Sequence, residues 1–311
     1  MNPIHDVYDK IAIRQMLNRH DATQKPMPFI VGAARSGTTL LRLMLDAHSM
    51  LAIPPETGFV VGVARLIAPT IMARRRLFNL VTHFPKLAPG WADFGIDKAD
   101  FWQRLAEIRD FNTSKGCRCF YQMYAARHNK PRWGDKTPYY CRNLCLIEKL
   151  LPEAHFIHII RDGRDVALSL RDMWFAPGRD ITTLARTWQR DILRAQQQGR
   201  HCRHYLEVRY EDLINNAPMI LRQVCTFIQL PFEENMLRYH EKAAERLAEH
   251  QGRYRDDGRP IVTREQRLQQ QHLTLQAPDR SRIQNWKRGM SLSEQRTFEK
   301  IAGRLLSELG Y

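Results

Sequence analysis

The chain has 311 residues and a formal net charge of +15, with 43% hydrophobic and 26% charged side chains, which is typical of a soluble globular protein. No apolar run reaches the roughly 20 residues that a transmembrane helix needs, and the amino terminus lacks the pattern of a secretory signal, so we expect a cytoplasmic protein. The six cysteines lack zinc-type spacing and are too few for a disulfide scaffold, so we expect reduced thiols and no metal site.

The first part of the chain predicts helices around one early strand. Apolar and charged residues alternate at helical spacing over residues 4–19, which predicts an amphipathic leading helix. A strand begins at Phe29, a helix is predicted over residues 38–48, and residues 51–53 predict a second, short strand. Residues 57–130 are mainly helical in pattern.

Two further strand-and-helix units follow. Residues 155–160 predict a strand with a helix from about Arg164, and residues 205–210 predict another strand before a helix that opens near Pro218. Residues 240–281 are polar and weakly periodic, which is typical of a mobile lid. The alternation predicts an α/β fold of three layers, α/β/α, with a parallel sheet whose carboxyl ends hold the ligand. No linker interrupts the chain, so we expect a single domain.

The loop after the first strand carries the most informative motif. It has the glycine spacing of a nucleotide-binding phosphate loop, but Thr38 replaces the lysine of that motif and the cation lies upstream at Arg35. In nucleotide triphosphatases the lysine reaches the β- and γ-phosphates, whereas backbone N–H groups at a helix N-terminus bind an anion without it. We therefore predict a phosphate site other than one for the tail of ATP, formed by Arg35, Ser36, Gly37, Thr38 and Thr39.

A second basic motif directly follows the strand at residues 155–160. Arg161 and Ser169 lie about two helical turns apart, and a guanidinium and a hydroxyl can grip one phosphate if the first residues form a loop. Taken alone, this segment is more typical of a structural helix cap, because Arg-Asp pairs at helix starts often have that role.

Together, the two motifs resemble the cofactor motifs of the sulfotransferases, enzymes that use 3′-phosphoadenosine 5′-phosphosulfate (PAPS). The resemblance covers roughly residues 28–290 in motif order. It implies a 5′-phosphosulfate loop at residues 32–39, a 3′-phosphate site at Arg161 and Ser169, and an adenine-side tyrosine at Tyr210.

Within that family, the loop and its helix are most similar to the tyrosylprotein and bacterial branch. A glutamate after the first helix is the general base there, and the resemblance places Glu56 in that role. The same branch has a Lys-x-Pro segment, matched by residues 134–138, which implies that Lys136 stabilises the leaving phosphosulfate bridge together with Arg35.

The resemblance is weaker towards the carboxyl terminus. Ser281 is implied as a nucleotide contact, but Asn285 stands before Trp286 where related enzymes often carry a cation. Some sulfotransferases use histidine as the base, and three histidines near the predicted strands match no such position: His48, His155 and His158.

The predicted reaction moves a sulfuryl group from PAPS to an acceptor hydroxyl. Carbohydrate, lipid, peptide tyrosine and small metabolites all present such a hydroxyl, and the sequence does not choose among them. Because a sulfuryl group carries less charge than a phosphoryl group, we expect cationic side chains to suffice without a metal. We assign the core sheet and nucleotide site to residues 28–56 and 132–230, the acceptor side to residues 57–130, and the lid and last helices to residues 240–311.

Two other functions stay open. A P-loop nucleotide kinase or ATPase with a divergent loop would bind ATP with magnesium, and Thr38 in place of lysine argues against it. A non-enzymatic nucleotide- or polyanion-binding module is supported only by the charge of +15. Because nucleic-acid motifs are absent, we expect no nucleic acid partner. Three arginines follow the apolar segment 59–73, which leaves a peripheral membrane contact open. Because Arg65 interrupts that segment, the pattern favours an amphipathic cap over the site.

Overall fold

The computed structural model describes residues 24–66, 70–255 and 257–311. The predicted leading helix over residues 4–19 lies outside these ranges, as do three residues of the apolar segment 59–73. In the described part of the chain, none of the helices has both the length and the hydropathy that a membrane span requires. The cytoplasmic location and the single domain stay predictions.

The strands lie in one central sheet and two small ones. In chain order they are β1 (Met27–Val31), β2 (Leu51–Ala52), β3 (Arg132–Trp133), β4 (Asp135–Lys136), β5 (Ala154–Ile160), β6 (Tyr205–Arg209), β7 (Arg253–Tyr254) and β8 (Pro260–Val262). The central sheet is parallel throughout, in the order β4-β1-β5-β6. The pair β2-β3 is parallel, and the hairpin β7-β8 is antiparallel.

Helices connect and cover these strands. They are α1 (Thr38–Asp46), α2 (Val60–Ala64), α3 (Thr70–Thr82), α4 (Lys98–Glu107), α5 (Thr113–Arg127), α6 (Leu144–Leu150), α7 (Gly163–Leu170), α8 (Ile181–Gly199), α9 (Tyr210–Asn215), α10 (Ala217–Phe227), α11 (His240–Leu247), α12 (Arg264–Gln270), α13 (Trp286–Gly289) and α14 (Leu292–Glu308).

The central sheet is buried on both faces. Because successive strand residues point to opposite sides, Phe29 and Phe156 pack into one core with helices α3 to α6, while Ile30 and Ile157 pack into another with α1, α9, α10 and α11. This confirms the predicted α/β class with a parallel sheet between helices.

The boundaries differ modestly from the predictions. Helix α1 ends at Asp46 rather than at residue 48, and Tyr210 begins helix α9 instead of ending a strand. The lid region contains two helices and a hairpin, so it has more regular structure than its weak periodicity predicts. Strand β4 was not predicted as a strand, because two residues are too few to show a period.

A buried charge cluster joins helix α1 to the lid. Asp46 pairs with Arg246 at 2.7 Å, Arg246 with Glu249 at 2.5 Å, and Arg42 with Glu249 at 3.3 Å. Burial alone would raise the pKa of Asp46, but Arg246, Lys130 and Arg42 together hold it below its usual value. Since an unpaired charge is costly inside a protein, these partners depend on one another. The cluster therefore holds the first part of the lid against helix α1.

Candidate active site

The loop between β1 and α1 is built to present backbone N–H groups. Arg35 and Gly37 have positive φ angles of 70° and 97°, and Gly37 caps α1 without a side-chain hydrogen bond. The first N–H groups of a helix have no partner within the helix, and this helix carries no acidic residue in its first turn. The Ser36 hydroxyl is buried without a hydrogen-bond partner among the described residues. These features suit a bound anion.

The conformation at Gly37 excludes a side chain for two reasons, its positive φ and its contact with Tyr210. A Cβ there would overlap the tyrosine ring. We predict that Gly37→Ala lowers the free energy of unfolding by about 1–3 kcal/mol, measured by denaturant titration. Gly258→Ala is the matched control, because Gly258 has a φ of +78° but a Cβ at that position would have nothing within 4 Å. An equal loss in both variants would mean that backbone strain alone, not the contact with Tyr210, limits position 37.

The two basic motifs meet at the carboxyl edge of the sheet. The Arg35 Nε donates to the Ser169 hydroxyl at 3.0 Å, and the Arg161 Nη1 donates to the Arg35 carbonyl at 3.2 Å. The Arg161 guanidinium lies over the Tyr210 ring at 4.4 Å. Burial lowers the pKa of Arg35, and the nearby charge of Arg161 lowers it further. An anionic ligand would relieve this repulsion between the two guanidinium groups.

Backbone carbonyls of the lid and of Arg282, just after it, contact these two arginines. The carbonyl of Gln270, at the end of α12, accepts hydrogen bonds from Arg35 at 3.3 Å, and the carbonyl of Arg282 accepts one from Arg161 at 2.9 Å. The segment 240–281 therefore contacts the loop through Gln270, and its role as a mobile lid stays a prediction.

Glu56 and Lys136 form an ion pair beside the loop. The Lys136 Nζ lies 2.6 Å from Glu56 Oε1 and 3.4 Å from the Thr39 hydroxyl. The lysine side chain is 3% exposed, whereas the glutamate is 49% exposed and open to the cavity described below. Strand β4 places the lysine there, because Lys136 pairs with Ile30 of β1. Burial lowers the pKa of Lys136, and the charge of Glu56 opposes that change.

A buried hydrogen-bond network positions the two backbone segments that carry this ion pair. The carboxylate of Asp135 accepts hydrogen bonds from Thr57 at 2.6 Å and from Tyr121 at 2.7 Å. Burial raises the pKa of Asp135 to about 6. Because Thr57 follows Glu56 and Asp135 precedes Lys136 in the chain, the network fixes the two backbones relative to each other. No pattern in the sequence indicates this support.

One cavity of about 950 Å³ brings most of the predicted site residues together. Those that line it are Arg35, Gly37, Thr38, Thr39, Glu56, Lys136, Arg161, Ser169 and Tyr210. Ser36 is buried in the loop and is not part of the lining, and Ser281 is not part of it either. The Ser281 hydroxyl donates to Asp279, while Arg282 and Asn285 reach the cavity instead.

Several residues that line the cavity are not among those predicted from the sequence. His250, Arg253 and Arg267 come from the lid and line the cavity, and both arginines pair with Asp93. The three histidines considered from the sequence contact other groups, outside the cavity lining: His48 with the Pro231 carbonyl, His155 with the His204 ring, and His158 with the Tyr205 hydroxyl.

The cysteines form neither a disulfide nor part of a metal cluster among the described residues. All six cysteines are free thiols. Within the described ranges, no three histidine, cysteine, aspartate or glutamate side chains lie close enough together to hold a metal ion. The predicted metal-free reaction remains a prediction.

Together, the parallel sheet, the glycine loop at its carboxyl edge and the converging arginines define an α/β protein with a site that suits an anion. A family model described as "Sulfotransferase family" matches residues 26–234. The chain belongs to this family, as its resemblance predicted.

Curated relatives agree with this assignment. The chain is 27% identical over 229 residues to protein-tyrosine sulfotransferase 1 of Danio rerio, covering 70% of this chain and 56% of that protein. It is 26% identical over 313 residues to nodulation protein NoeE of Sinorhizobium fredii, covering 92% of this chain and 67% of that protein. The chain spans about half the length of the first tyrosine sulfotransferases that it matches.

A solved structure shares the fold. The sulfotransferase domain from the curacin biosynthetic pathway superposes with a TM-score of 0.52 at 19% identity, covering 91% of this chain and 98% of that domain.

Proposed function

We propose that the protein transfers a sulfuryl group from PAPS to the hydroxyl of an acceptor. The observation that carries the proposal is that the loop, the Arg161 motif and the Glu56–Lys136 ion pair all open into one cavity. The family membership supports the same reaction. When bound, PAPS supplies the activated sulfuryl group.

The residues present fit a nucleotide with two phosphate-bearing ends. The loop offers N–H groups and the unpartnered Ser36 hydroxyl, and Arg161 has a buried Nε without a partner among the described residues. We propose that Arg35, Ser36, Gly37, Thr38 and Thr39 hold the 5′ end. Arg161 and Ser169 would hold the 3′-phosphate, with Tyr210 on the adenine side; Ser281 lies outside the cavity lining and is not included in this site.

The two members of the ion pair have complementary roles in the proposed reaction. Glu56 is half exposed to the cavity, so its carboxylate can accept the proton of an acceptor hydroxyl as the oxygen attacks. Lys136 and Arg35 would stabilise the negative charge that grows on the departing phosphate. The contact between Lys136 and Thr39 supports this role, because it joins the lysine to the phosphate loop.

The proposed function is tested by following labelled sulfur from PAPS into a panel of hydroxyl acceptors. Thermal unfolding with the product 3′-phosphoadenosine 5′-phosphate (PAP), with ATP and magnesium, and with heparin separates the alternatives. We expect stabilisation by PAP that grows with its concentration. Stabilisation by ATP with magnesium but not by PAP would favour the kinase, and stabilisation by heparin alone would favour a polyanion-binding module.

Arg161→Ala tests the proposed 3′-phosphate site. Removing a charge-assisted hydrogen bond should weaken PAP binding by about 10- to 100-fold, measured by calorimetry. Adenosine 5′-phosphosulfate, which lacks the 3′-phosphate, should bind both proteins alike. The control is Arg280→Ala, which removes the same charge from an exposed lid residue outside the cavity lining. An equal loss for both nucleotides would contradict the assignment.

A further inference from the structure

A second basic group lines the cavity: His250, Arg253 and Arg267. We name it the lid cation wall. The Arg253 Nη2 lies 2.6 Å from Asp93 Oδ2, and Arg267 contacts both oxygens of the same carboxylate at 2.9 Å. Two guanidinium groups therefore share one carboxylate, which leaves one positive charge in excess at the wall.

This arrangement is buried and incompletely paired. Asp93 is 2% exposed, and the Arg253 Nη1 and His250 Nδ1 are buried without a hydrogen-bond partner among the described residues. Gly90 makes room for the Arg253 guanidinium, since a Cβ there would overlap it. Burial lowers the pKa of His250, and the charge of Arg267 lowers it further, so the imidazole is neutral and can donate or accept one hydrogen bond.

A purely structural ion pair with Asp93 would not need the second arginine. One arginine suffices to neutralise a buried carboxylate, and a second buried cation adds a desolvation cost that another anion must offset. Glu56 offsets only part of that cost, because its ion-pair partner is Lys136 and it acts on Arg253 only through its charge. The wall therefore suits an anionic ligand in the cavity.

The lid cation wall shares the cavity with the Glu56–Lys136 ion pair and interacts with it electrostatically. The charge of Arg253 interacts with Glu56, and the charge of Lys136 acts on His250. Arg161, in contrast, contacts the Arg35 carbonyl and the Tyr210 ring. A molecule whose hydroxyl reaches Glu56 would thus place its remaining groups near the wall.

We propose that Arg253 and Arg267 bind an anionic group of the acceptor, so that the acceptor is an acidic hydroxyl compound. This inference rests on the proposed function. The planar guanidinium fork matches the oxygens of a carboxylate or of a phosphate monoester, which are the two forms that the group can take.

Matched probes test the inference by calorimetry on PAP-saturated protein. We use 4-hydroxyphenylacetate, its neutral amide of the same shape, and 4-hydroxybenzylphosphonate, so that carboxylate and phosphonate are compared directly. At least one anionic probe should bind about tenfold or more tightly than the amide. Arg253→Gln and Arg267→Gln should each reduce that preference to about threefold or less.

The glutamine variants are chosen so that the protein folds. Each keeps one arginine on Asp93, and thermal unfolding checks that the variants are folded. Arg253→Lys and Arg267→Lys retain the charge but lose the planar guanidinium fork, so they should give intermediate preferences. The control is Arg264→Gln, which removes the same charge from an exposed position of α12 outside the cavity lining. It should leave the preference unchanged, because the wall and not the general positive field selects the anion.

Three results of the probe titrations overturn the inference: neither anionic probe binds the wild-type protein, the amide binds as well as both anions, or the preference survives both glutamine variants. A selective loss of PAP affinity in Arg267→Gln also overturns it, since the cations would then serve the donor. Failure of the wild-type protein to bind PAP would instead contradict the proposed function. The same titrations without nucleotide then still decide the anion preference.

Discussion

Glu56→Gln is expected to lower the rate of sulfuryl transfer by about 10²- to 10⁴-fold, the usual contribution of a general base. Glutamine has the same shape, and its amide oxygen can still accept the hydrogen bond that Lys136 donates at 2.6 Å, but it cannot take up a proton at neutral pH. PAP affinity should stay within about threefold, because the carboxylate is not part of the phosphate loop. Initial rates with labelled PAPS and calorimetry with PAP measure the two quantities.

The matched control is Glu265→Gln, which makes the same change on the exposed side of α12. It should leave rate and affinity unchanged. If Glu56→Gln lost PAP affinity and turnover in equal proportion, the carboxylate would be a structural partner of Lys136 and not the base.

Lys136→Met is expected to lower kcat by about 10²- to 10³-fold, the typical cost of removing one group that stabilises transition-state charge. The effect should fall on kcat more than on KM, because the charge on the departing phosphate develops only as the bond breaks. The free energy of unfolding should not decrease. The lysine side chain is 3% exposed, and an apolar side chain of similar length removes a buried charge while its partner Glu56 remains half in solvent.

The double variant with Glu56→Gln gives a sharper test of the pair. Groups that act as a unit lose activity non-additively, so the combined loss should be much smaller than the product of the two single losses. A fully multiplicative loss would mean that the residues act independently. A fall in stability that parallels the fall in kcat would assign Lys136 to the core instead of the reaction.

The sequence was sufficient for the parts of the site that follow strand ends. Loop residues after β1 and the arginine after β5 could be expected to converge, because parallel strands end at the same edge of a sheet. That β1 and β5 are direct neighbours could not be derived, since strand order depends on packing between distant segments. The position of Lys136 beside the loop could not be derived either, because it depends on the pairing of a two-residue strand.

The lid illustrates why the remaining site residues were missed. Arg267 pairs with Asp93, a residue 174 positions away, and no local period marks either side chain. Ser281 shows the opposite case: its hydroxyl and its backbone N–H both bind the neighbouring Asp279, a local interaction that competes with a role at the cavity.

The buried charge cluster around Asp46 and Arg246 has a consequence for the response to ionic strength. Charges at the protein surface are screened over about 8 Å at physiological ionic strength, so added salt should weaken the long-range attraction of an anionic nucleotide to a chain of net charge +15. Ion pairs enclosed by protein are screened much less. Salt should therefore slow the capture of the nucleotide without loosening the attachment of the lid to helix α1.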